Sequence, residues 1–349
     1  MSLLEVSQRE CPPGVIPASL ELSRKNKTIL ENDSRKVLSD PEVDAIFNVT
    51  PDHWHTPGAC MAMESGKHVY LEKPCSHNPH EADVLVNYQK KYDKVVQMGN
   101  QYRTTPHFSE IINEIHGGAI GEAYEAVAFY CRARGKVPKP VTAPVPEGLD
   151  WDLFQGPAPR KEYIKTVEDY NWHWYGWDYG TGETGNNAIH ELDIGRWALQ
   201  VDYPEYVNVE AARRNFLNDG RTMYDNMYAT YKFANNKLIT WDGRSRTGFE
   251  TYGSDRGTII HGTEGTVFVD PSGFKVFKRS GKLLKEKIKP VNDDDGTTAH
   301  IVNFFNTIRG KDTLNSPIEI GAISNRLANY ANIAYRVGKS IDIVSNGDL

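Results

Sequence analysis

Cysteine is scarce in this sequence, and the few that occur form no recognisable pattern. The 349 residues contain four, namely Cys11, Cys60, Cys75 and Cys131, with no Cys-x-x-Cys pair. Such spacing predicts neither a disulfide framework nor a zinc site. His190 and Asp193 could share a metal ion, but no third ligand follows at a usable spacing. We therefore expect no bound metal.

Long apolar runs and blocks of basic residues are also absent. No stretch approaches the length of a membrane span, and a formal net charge of -6 with scattered lysines argues against a nucleic-acid surface. Residues 1–14 are polar and contain Pro12 and Pro13, unlike a signal peptide. These features predict a cytoplasmic protein with no membrane or nucleic-acid partner. A periplasmic or exported location stays open if the native amino terminus lies upstream.

The remaining composition, with 39% hydrophobic and 25% charged residues, is typical of a globular protein. Residues 35–117 alternate between two kinds of pattern. Short apolar strands are predicted at 43–50, 68–71 and 95–99, and helical spacing follows at 59–66, 80–92 and 108–116. This alternation predicts an α/β domain with a parallel sheet and helices on its faces.

From Gly121 onward the pattern changes to strands joined by short turns. The predicted strands are 123–132, 206–212, 223–233, 238–244, 258–261, 266–269 and 274–277. Asn235-Asn236 and Gly262–Gly265 are typical of hairpin turns. Runs of strands with such turns predict a mostly antiparallel sheet.

Two helices, each with one apolar face, close the chain at residues 301–308 and 323–337. The order of elements therefore predicts two domains. A parallel-sheet domain is expected at residues 1–117, and a larger α+β domain with a mostly antiparallel sheet at residues 118–349.

The most informative local motif is an apolar strand that ends in an acid, a base and a proline. Glu72 and Lys73 follow Val69–Leu71 directly, at the carboxyl end of a strand, where α/β sheets bind ligands. Pro74 then stops the strand and restricts Lys73 to extended geometry. This position aims Lys73 at a cleft, and the alternative is a pair of solvated turn charges.

A second candidate is a histidine within a helical pattern. Residues three and four apart share one helix face, so Asn186, His190 and Asp193 are expected to lie together. An imidazole there could act as a general base near neutral pH. The alternative is a structural histidine that is hydrogen-bonded to Asp193.

Three further segments contain polar or aromatic clusters. Residues 50–55 follow the first predicted strand and hold two histidines and a tryptophan, which is unusual for a turn. Residues 172–178 could stack on sugar rings while a carboxylate binds hydroxyls, or could be ordinary aromatic core. A G-x-G-x-x-G match at 180–185 has no strand before it, so we interpret it as a flexible loop on the substrate side rather than a phosphate loop.

Together these segments resemble the glucose–fructose oxidoreductase / inositol dehydrogenase (Gfo/Idh/MocA) family, from about residue 30 to the end. The matching segments are Thr-Pro-x-x-x-His at 50–55, Gly66–Pro74, Gly118–Gly121, Gly185–Trp197 and Gly262–Gly265. The resemblance implies a Rossmann-type NAD(P)-binding domain, and then an α+β domain whose open sheet forms homo-oligomer contacts. Members commonly oxidise or reduce a sugar or cyclitol hydroxyl with NAD or NADP.

The resemblance also implies roles for individual residues. Lys73 would contact the nicotinamide ribose and the substrate, and its charge would stabilise the developing alkoxide. His190 would take the hydroxyl proton, with Asn186 beside it. The residues implied to line the cofactor are Thr50, Pro51, His55 and Glu72, together with Lys73. The residues expected to contact substrate are Arg103, Trp177, Asp178 and Asp193.

Two departures from the family pattern affect these expectations. Asn186 stands where many members have an aspartate, and an amide cannot stabilise a histidine cation as a carboxylate does. Before residue 30 we find no glycine-rich βαβ unit, so we expect a truncated amino end and an incomplete Rossmann-type sheet. The strand at 43–50 would then have an open edge. Weak or absent dinucleotide binding follows, because the glycine loop supplies backbone donors for the pyrophosphate.

Our primary hypothesis is an oxidoreductase acting on a sugar or cyclitol, with Lys73 and His190 at the reaction centre. One alternative is a redox-neutral glycoside or keto-sugar enzyme that uses NAD transiently. The other is a non-catalytic sugar-binding or assembly protein that keeps the fold. The choice between NAD and NADP is open, because the acid that selects it belongs to the missing unit.

Overall fold

A parallel sheet with flanking helices forms the first part of the chain, as predicted. The computed structural model describes residues 2–4, 31, 33–167, 170–289, 296–344 and 347. The sheet has the order β1 (Ser2–Leu4), β2 (Val43–Asn48), β3 (His68–Leu71) and β4 (Val96–Met98). The helices alongside it are α1 (Ser34–Ser39), α2 (His55–Glu64), α3 (Pro79–Tyr92) and α4 (Pro106–His116). The carboxyl ends of β2, β3 and β4 therefore meet at one edge.

The edge of β2 differs from the prediction. Instead of being open, it pairs in parallel with β1, with Ser2 opposite Val43 and Leu4 opposite Ile46. A three-residue segment is too short to show a strand period in the sequence. The unpaired backbone groups along β2 are nevertheless a template for such a segment.

Nine strands of the described residues form the second sheet, in the order β12-β11-β10-β9-β5-β8-β7-β6-β13. Their bounds are β5 (Ala123–Cys131), β6 (Tyr206–Ala212), β7 (Asn226–Lys232), β8 (Leu238–Arg244), β9 (Arg256–Gly262), β10 (Gly265–Asp270), β11 (Gly273–Lys278), β12 (Leu283–Ile288) and β13 (Ile341–Asp342). Only the pair of β5 and β8 is parallel among these described strands, which confirms a mostly antiparallel sheet.

Helices of this second part pack on the nine-stranded sheet and also reach the first sheet. Their bounds are α5 (Trp151–Gln155), α6 (Ile189–Leu199), α7 (Thr297–Ile308) and α8 (Ile318–Val337). Helix α6 lies close to β5, because Gly195 has no side chain to meet Ala126. None of the described helices, including the 20 residues of α8, is long and apolar enough to cross a membrane.

Helix α8 contacts both sheets and so fixes the edge at which the strands of the first sheet end. Gly321 lies against Met98 of β4, where a Cβ atom would come within 2.9 Å of the methionine side chain. On the other side, Tyr330 of α8 belongs to the core of the nine-stranded sheet. The side-chain amide of Asn325 donates to Ser76 Oγ at 2.8 Å, just beyond β3. This packing holds α6 and the end of β3 next to each other.

Candidate active site

Lys73 leaves the carboxyl end of β3 and reaches the segment that begins the α6 helix. Its Nζ atom donates to the backbone oxygen of Asn186 at 2.7 Å and to Asn186 Oδ1 at 3.0 Å. Burial lowers the pKa of the Lys73 ammonium, and the nearby Glu72 and Asp52 charges oppose that shift. Lys73 is therefore a partly buried, oriented cation and not a solvated turn charge.

Asn186 lies in a π-helical turn, Thr184–Ala188, directly before α6. Its Oδ1 accepts from Lys73 and also from the Tyr170 hydroxyl, at 3.0 Å. Its Nδ2 is buried and has no hydrogen-bond partner among the described residues. Asn186 therefore orients the lysine rather than His190, and the two N–H donors of its Nδ2 stay available for an additional group. Such π turns are frequent at functional sites.

His190 faces the end of β4 and not the acid that the sequence offered as its partner. Its Nδ1 lies 3.0 Å from Oδ1 of Asn100, a residue that follows β4 directly. An amide oxygen only accepts, so Nδ1 carries the proton and Nε2 keeps its lone pair. Burial and the positive charges of Arg256 and Lys73 hold the pKa of His190 well below its usual range. The ring is thus neutral at neutral pH, with Nε2 free to accept a proton.

Asn100 is a site residue that sequence reasoning missed. It is fully buried, and its Nδ2 has no hydrogen-bond partner among the described residues. The only available signal was its position, because it follows Met98 and Gly99 at the carboxyl end of a parallel strand, where ligands bind.

The residues predicted to line a cofactor lie at the ends of β2 and β3. His55 joins the two ends, since its Nδ1 lies 2.5 Å from the oxygen of Pro74 and its Nε2 lies 2.7 Å from the oxygen of Thr50. Burial lowers the pKa of His55 to about 4. Pro51 is buried beside this ring. The carboxylate of Glu72 packs over Gly99, where a Cβ atom would come within 2.8 Å of Oε1.

The predicted substrate contacts separate into two places. Arg103 and Asp193 form a buried bidentate ion pair with each other, with N–O distances of 2.7 and 2.9 Å. Asp193 Oδ1 also accepts from the Ser324 hydroxyl of α8. Trp177 packs against the aromatic core near α8, while Asp178 forms an ion pair with Lys161. None of these four bonds directly to Lys73 within the described part of the chain.

Asp52 is a second residue that sequence reasoning passed over. It is 1% exposed, and its Oδ2 accepts from the backbone N–H and the hydroxyl of Thr181, at 2.9 and 2.6 Å. Its Oδ1 has no hydrogen-bond partner among the described residues. Burial raises the pKa of Asp52 to about 7, although the charge of Lys73 lowers it.

The sequence predicted a flexible loop on the substrate side at 180–185, and the structure shows a closely packed segment there. All six residues are buried, and Thr181 is bonded to Asp52. Gly185 packs so closely on Thr181 that a Cβ atom would overlap its hydroxyl. The glycines therefore allow close packing next to β2, and the phosphate-loop interpretation finds no support in their surroundings.

Several buried polar atoms around Lys73 and His190 have no hydrogen-bond partner among the described residues, and they bear on whether a cofactor fits here. The unpartnered atoms are Asn186 Nδ2, Asn100 Nδ2 and Asp52 Oδ1. Buried polar groups without partners are rare in native proteins and indicate a missing ligand or water. These atoms fit the polar nicotinamide and ribose end of a dinucleotide. The residues that the structure describes contain no group of three His, Cys, Asp or Glu side chains that could hold a metal.

Comparison with known proteins bears on the same two halves of the chain. A family model described as oxidoreductase family, NAD-binding Rossmann fold, matches residues 17–100. A second, described as oxidoreductase family, C-terminal alpha/beta domain, matches residues 128–347. The chain belongs to the Gfo/Idh/MocA oxidoreductase family. The model described as NAD-binding covers the parallel sheet from β2 to β4, and the C-terminal model covers most of the nine-stranded sheet.

Individual members of the family are about one quarter identical to this chain over the aligned residues. The chain is 26% identical over 242 residues to the scyllo-inositol 2-dehydrogenase (NAD(+)) of Bacillus subtilis and 27% identical over 245 residues to the myo-inositol 2-dehydrogenase of Thermotoga maritima. Each match covers 68% of this chain, but only 58% and 60% of those proteins. The chain therefore spans about three fifths of the length of these curated relatives.

The fold is shared with solved structures. The aldose-aldose oxidoreductase of Caulobacter crescentus, solved with glycerol, superposes with a TM-score of 0.68 at 16% identity. The match covers 94% of this chain and 89% of that one. At this identity the comparison supports the architecture alone.

The Arg103–Asp193 pair should stabilise the fold. Because Arg103→Met leaves the Asp193 carboxylate buried and uncompensated, we expect the free energy of unfolding to fall by about 3–5 kcal/mol. The double variant Arg103→Met/Asp193→Leu should recover most of this loss, since it removes the stranded charge. Urea unfolding measures both. A single variant with unchanged stability but a raised KM for substrate would instead support the predicted substrate role.

Asp52 should make stability depend on pH. Its pKa is about 7 in the folded state, against an ordinary value of 3.8. The folded chain therefore holds a proton that the unfolded chain releases, and this stabilisation is lost as the pH rises from about 4 to about 7. We expect Asp52→Asn to gain stability relative to wild type between pH 5 and pH 8, as measured by urea unfolding. A difference that does not vary with pH would contradict this assignment.

Proposed function

We propose that this protein is an NAD(P)-dependent oxidoreductase that acts on a hydroxyl or keto group of a sugar or cyclitol. The observation that carries the proposal is the approach of two complementary groups. The Lys73 ammonium is bound by Asn186, and Asn186 lies one helical turn before His190. The neutral ring of His190 has its proton on Nδ1, so its Nε2 atom can accept a proton. A fixed cation beside a fixed base suits the removal of a proton from an alcohol.

Each residue has a defined task in this proposal. The Lys73 ammonium donates to the reacting oxygen and stabilises the negative charge that develops there. His190 Nε2 accepts the hydroxyl proton, and Asn100 keeps the ring in the required tautomer through its bond to Nδ1. Asn186 holds Lys73 in place, as the paired contacts to its Nζ indicate. These groups work on the substrate in either direction of the reaction.

NAD(P), when bound, would supply the hydride acceptor for this chemistry. Thr50, Pro51, His55 and Glu72 would hold it, at the carboxyl ends of β2 and β3. The names of the related inositol dehydrogenases support both the cofactor and the cyclitol or sugar class of substrate.

We further propose that this chain binds the dinucleotide weakly. Residues 1–42 contain a single glycine, Gly14, so no glycine-rich loop precedes β2. Backbone N–H groups of such a loop normally bind the pyrophosphate. The nicotinamide end of the site is therefore better provided with partners than the phosphate end.

A homo-oligomer formed through the nine-stranded sheet is also part of the proposal. Large side chains are exposed on β7, at Tyr228, and in the segment between β8 and β9, at Phe249 and Tyr252, with exposed fractions of 49%, 75% and 65%. Exposed apolar patches of this kind mark interaction surfaces.

Loss of either central group should abolish turnover. We expect Lys73→Met and His190→Gln each to lower kcat/KM by about 10²–10⁴-fold, because each removes charge stabilisation or general-base catalysis. The assay follows NADH formation with a panel of sugars and cyclitols at high NAD+ concentration. The matched control is Lys67→Met, because Lys67 directly precedes β3 and so lies at the end of the strand opposite to Lys73. Product formation without net NADH formation would favour a redox-neutral enzyme. A non-catalytic protein would instead show no turnover, and both variants would bind sugar as tightly as the wild type.

Dinucleotide affinity can be measured separately by calorimetry with NAD+ and NADH. We expect no binding in the micromolar range, because the sequence before β2 contains no glycine-rich pattern to supply donors for the pyrophosphate. Micromolar affinity would contradict the proposal of weak binding, and it would leave the assignment of Lys73 and His190 unaffected.

A further inference from the structure

Arg246, in the loop after β8, is a buried cation that forms no ion pair with any described residue. It is 8% exposed, and its Nε has no hydrogen-bond partner among the described residues. No described carboxylate forms an ion pair with it, and burial lowers its pKa although the charge of Glu183 opposes this. Burying a charge is costly unless an opposite charge accompanies it. Arg246 therefore indicates an anion that the chain itself does not provide.

The other buried arginines of the described chain do not share this feature. Arg103, Arg196, Arg221 and Arg326 each form an ion pair, with Asp193, Asp202, Asp225 and Asp83 respectively. Arg221 is the most informative comparison, because it is a neighbour of Arg246 and is 1% exposed. Its Nη2 lies 3.1 Å from Asp225 Oδ2. The sequence thus supplies a carboxylate to each of these arginines and none to Arg246.

A second arginine packs against the same tryptophan ring as Arg246. The guanidinium carbons of Arg246 and Arg134 lie 5.5 and 5.7 Å from the ring centroid of Trp174. Trp174 is buried, whereas the side chain of Arg134 is 29% exposed and opens this cluster to solvent. Arg134 also lies 3.5 Å from Glu183. The neighbouring Arg221 is paired with Asp225, and Asp219 with Arg213. Arg246, Arg134 and Glu183 together therefore leave one net positive charge, which matches a monoanion.

The arginine cluster continues into the Lys73 site. Tyr170 packs its ring 6.4 Å from Trp174 and donates its hydroxyl proton to Asn186, which binds Lys73. Glu183 accepts a hydrogen bond, at 2.7 Å, from the side chain of Asn187, the residue that follows Asn186. Arg134 is also close enough for its charge to lower the pKa of Lys73. A sugar held at Lys73 would therefore direct one end toward Arg134 and Arg246.

We propose that Arg246 and Arg134 bind the carboxylate of a sugar acid, an aldonate or a uronate, whose reacting hydroxyl lies at Lys73. Guanidinium groups bind carboxylates in bidentate geometry. A phosphate would place a second negative charge close to Glu183, so the single charge of a carboxylate fits better. This inference rests on the proposed function and specifies its substrate class.

Matched pairs of ligands test the proposal by calorimetry, with and without added NAD+. The pairs are glucuronate and glucose, galacturonate and galactose, and gluconate and sorbitol, and glucose 6-phosphate represents the phosphate source. We expect one acid to bind at least ten times more tightly than its neutral partner. Arg246→Gln should reduce that ratio to less than two. Arg244→Gln, two residues away and paired with Asp242 in wild type, should leave it unchanged.

Three results would overturn the proposal. The first is that no acid binds more tightly than its neutral partner, whether both bind equally or neither binds. The second is a preference for the acid that survives Arg246→Gln. The third is tighter binding of glucose 6-phosphate than of the acids. Arg246→Lys and a thermal melt of each variant separate loss of the contact from loss of the fold, since Lys keeps the charge. Acid binding that depends on Arg246 without NADH formation would remove the proposed function alone. Turnover of neutral sugars that depends on Lys73 would remove this inference alone.

Discussion

The bond between Lys73 and Asn186 is the interaction on which the candidate site depends, because it joins the end of a parallel strand to the start of a helix that belongs to the other sheet. The lysine alone would be an exposed charge after β3. Held by an amide and by a backbone oxygen, it becomes an oriented donor. Its position then depends on the packing of α6 and α8 as much as on β3.

Protonation at the site is set mainly by the exclusion of water. Burial lowers the pKa values of His55 and His190 and brings the pKa of Asp52 to about 7. A neutral histidine needs no carboxylate behind it to accept a proton, so the replacement of an aspartate by Asn186 is compatible with base catalysis. The amide instead serves the lysine. Because Asn186 is neutral, position 186 contributes no negative charge beside His190.

The sequence predicted the fold well wherever a period could be recognised. Alternating apolar residues gave the strands of both sheets to within a few residues, and apolar faces gave the closing helices. Strand β12 was missed because all six of its residues are exposed, and β1 and β13 because they span three and two residues. A strand without a buried face leaves no hydrophobic pattern to detect.

The candidate site was less predictable, because most of its contacts join residues that are about one hundred positions apart. Lys73 and His190 could be named from motifs, but their partners could not. Asn100 gave no signal beyond its place after a strand, and Arg103 and Asp193 gave no sign that they would pair with each other. Arg246 shows the same limit, since a missing counter-charge is visible only when the neighbours are known.

The position of α8 has a mechanical consequence. Two-domain enzymes commonly bind a ligand with the domains apart and then close on it by rotation about a hinge. Here one helix packs on both sheets, with Gly321 against Met98 and Asn325 bonded to Ser76. Rotation of one sheet against the other would have to break this packed contact. The packing of α8 on both sheets therefore opposes hinge rotation, and side chains or loops are the parts of the site that can move to admit a ligand.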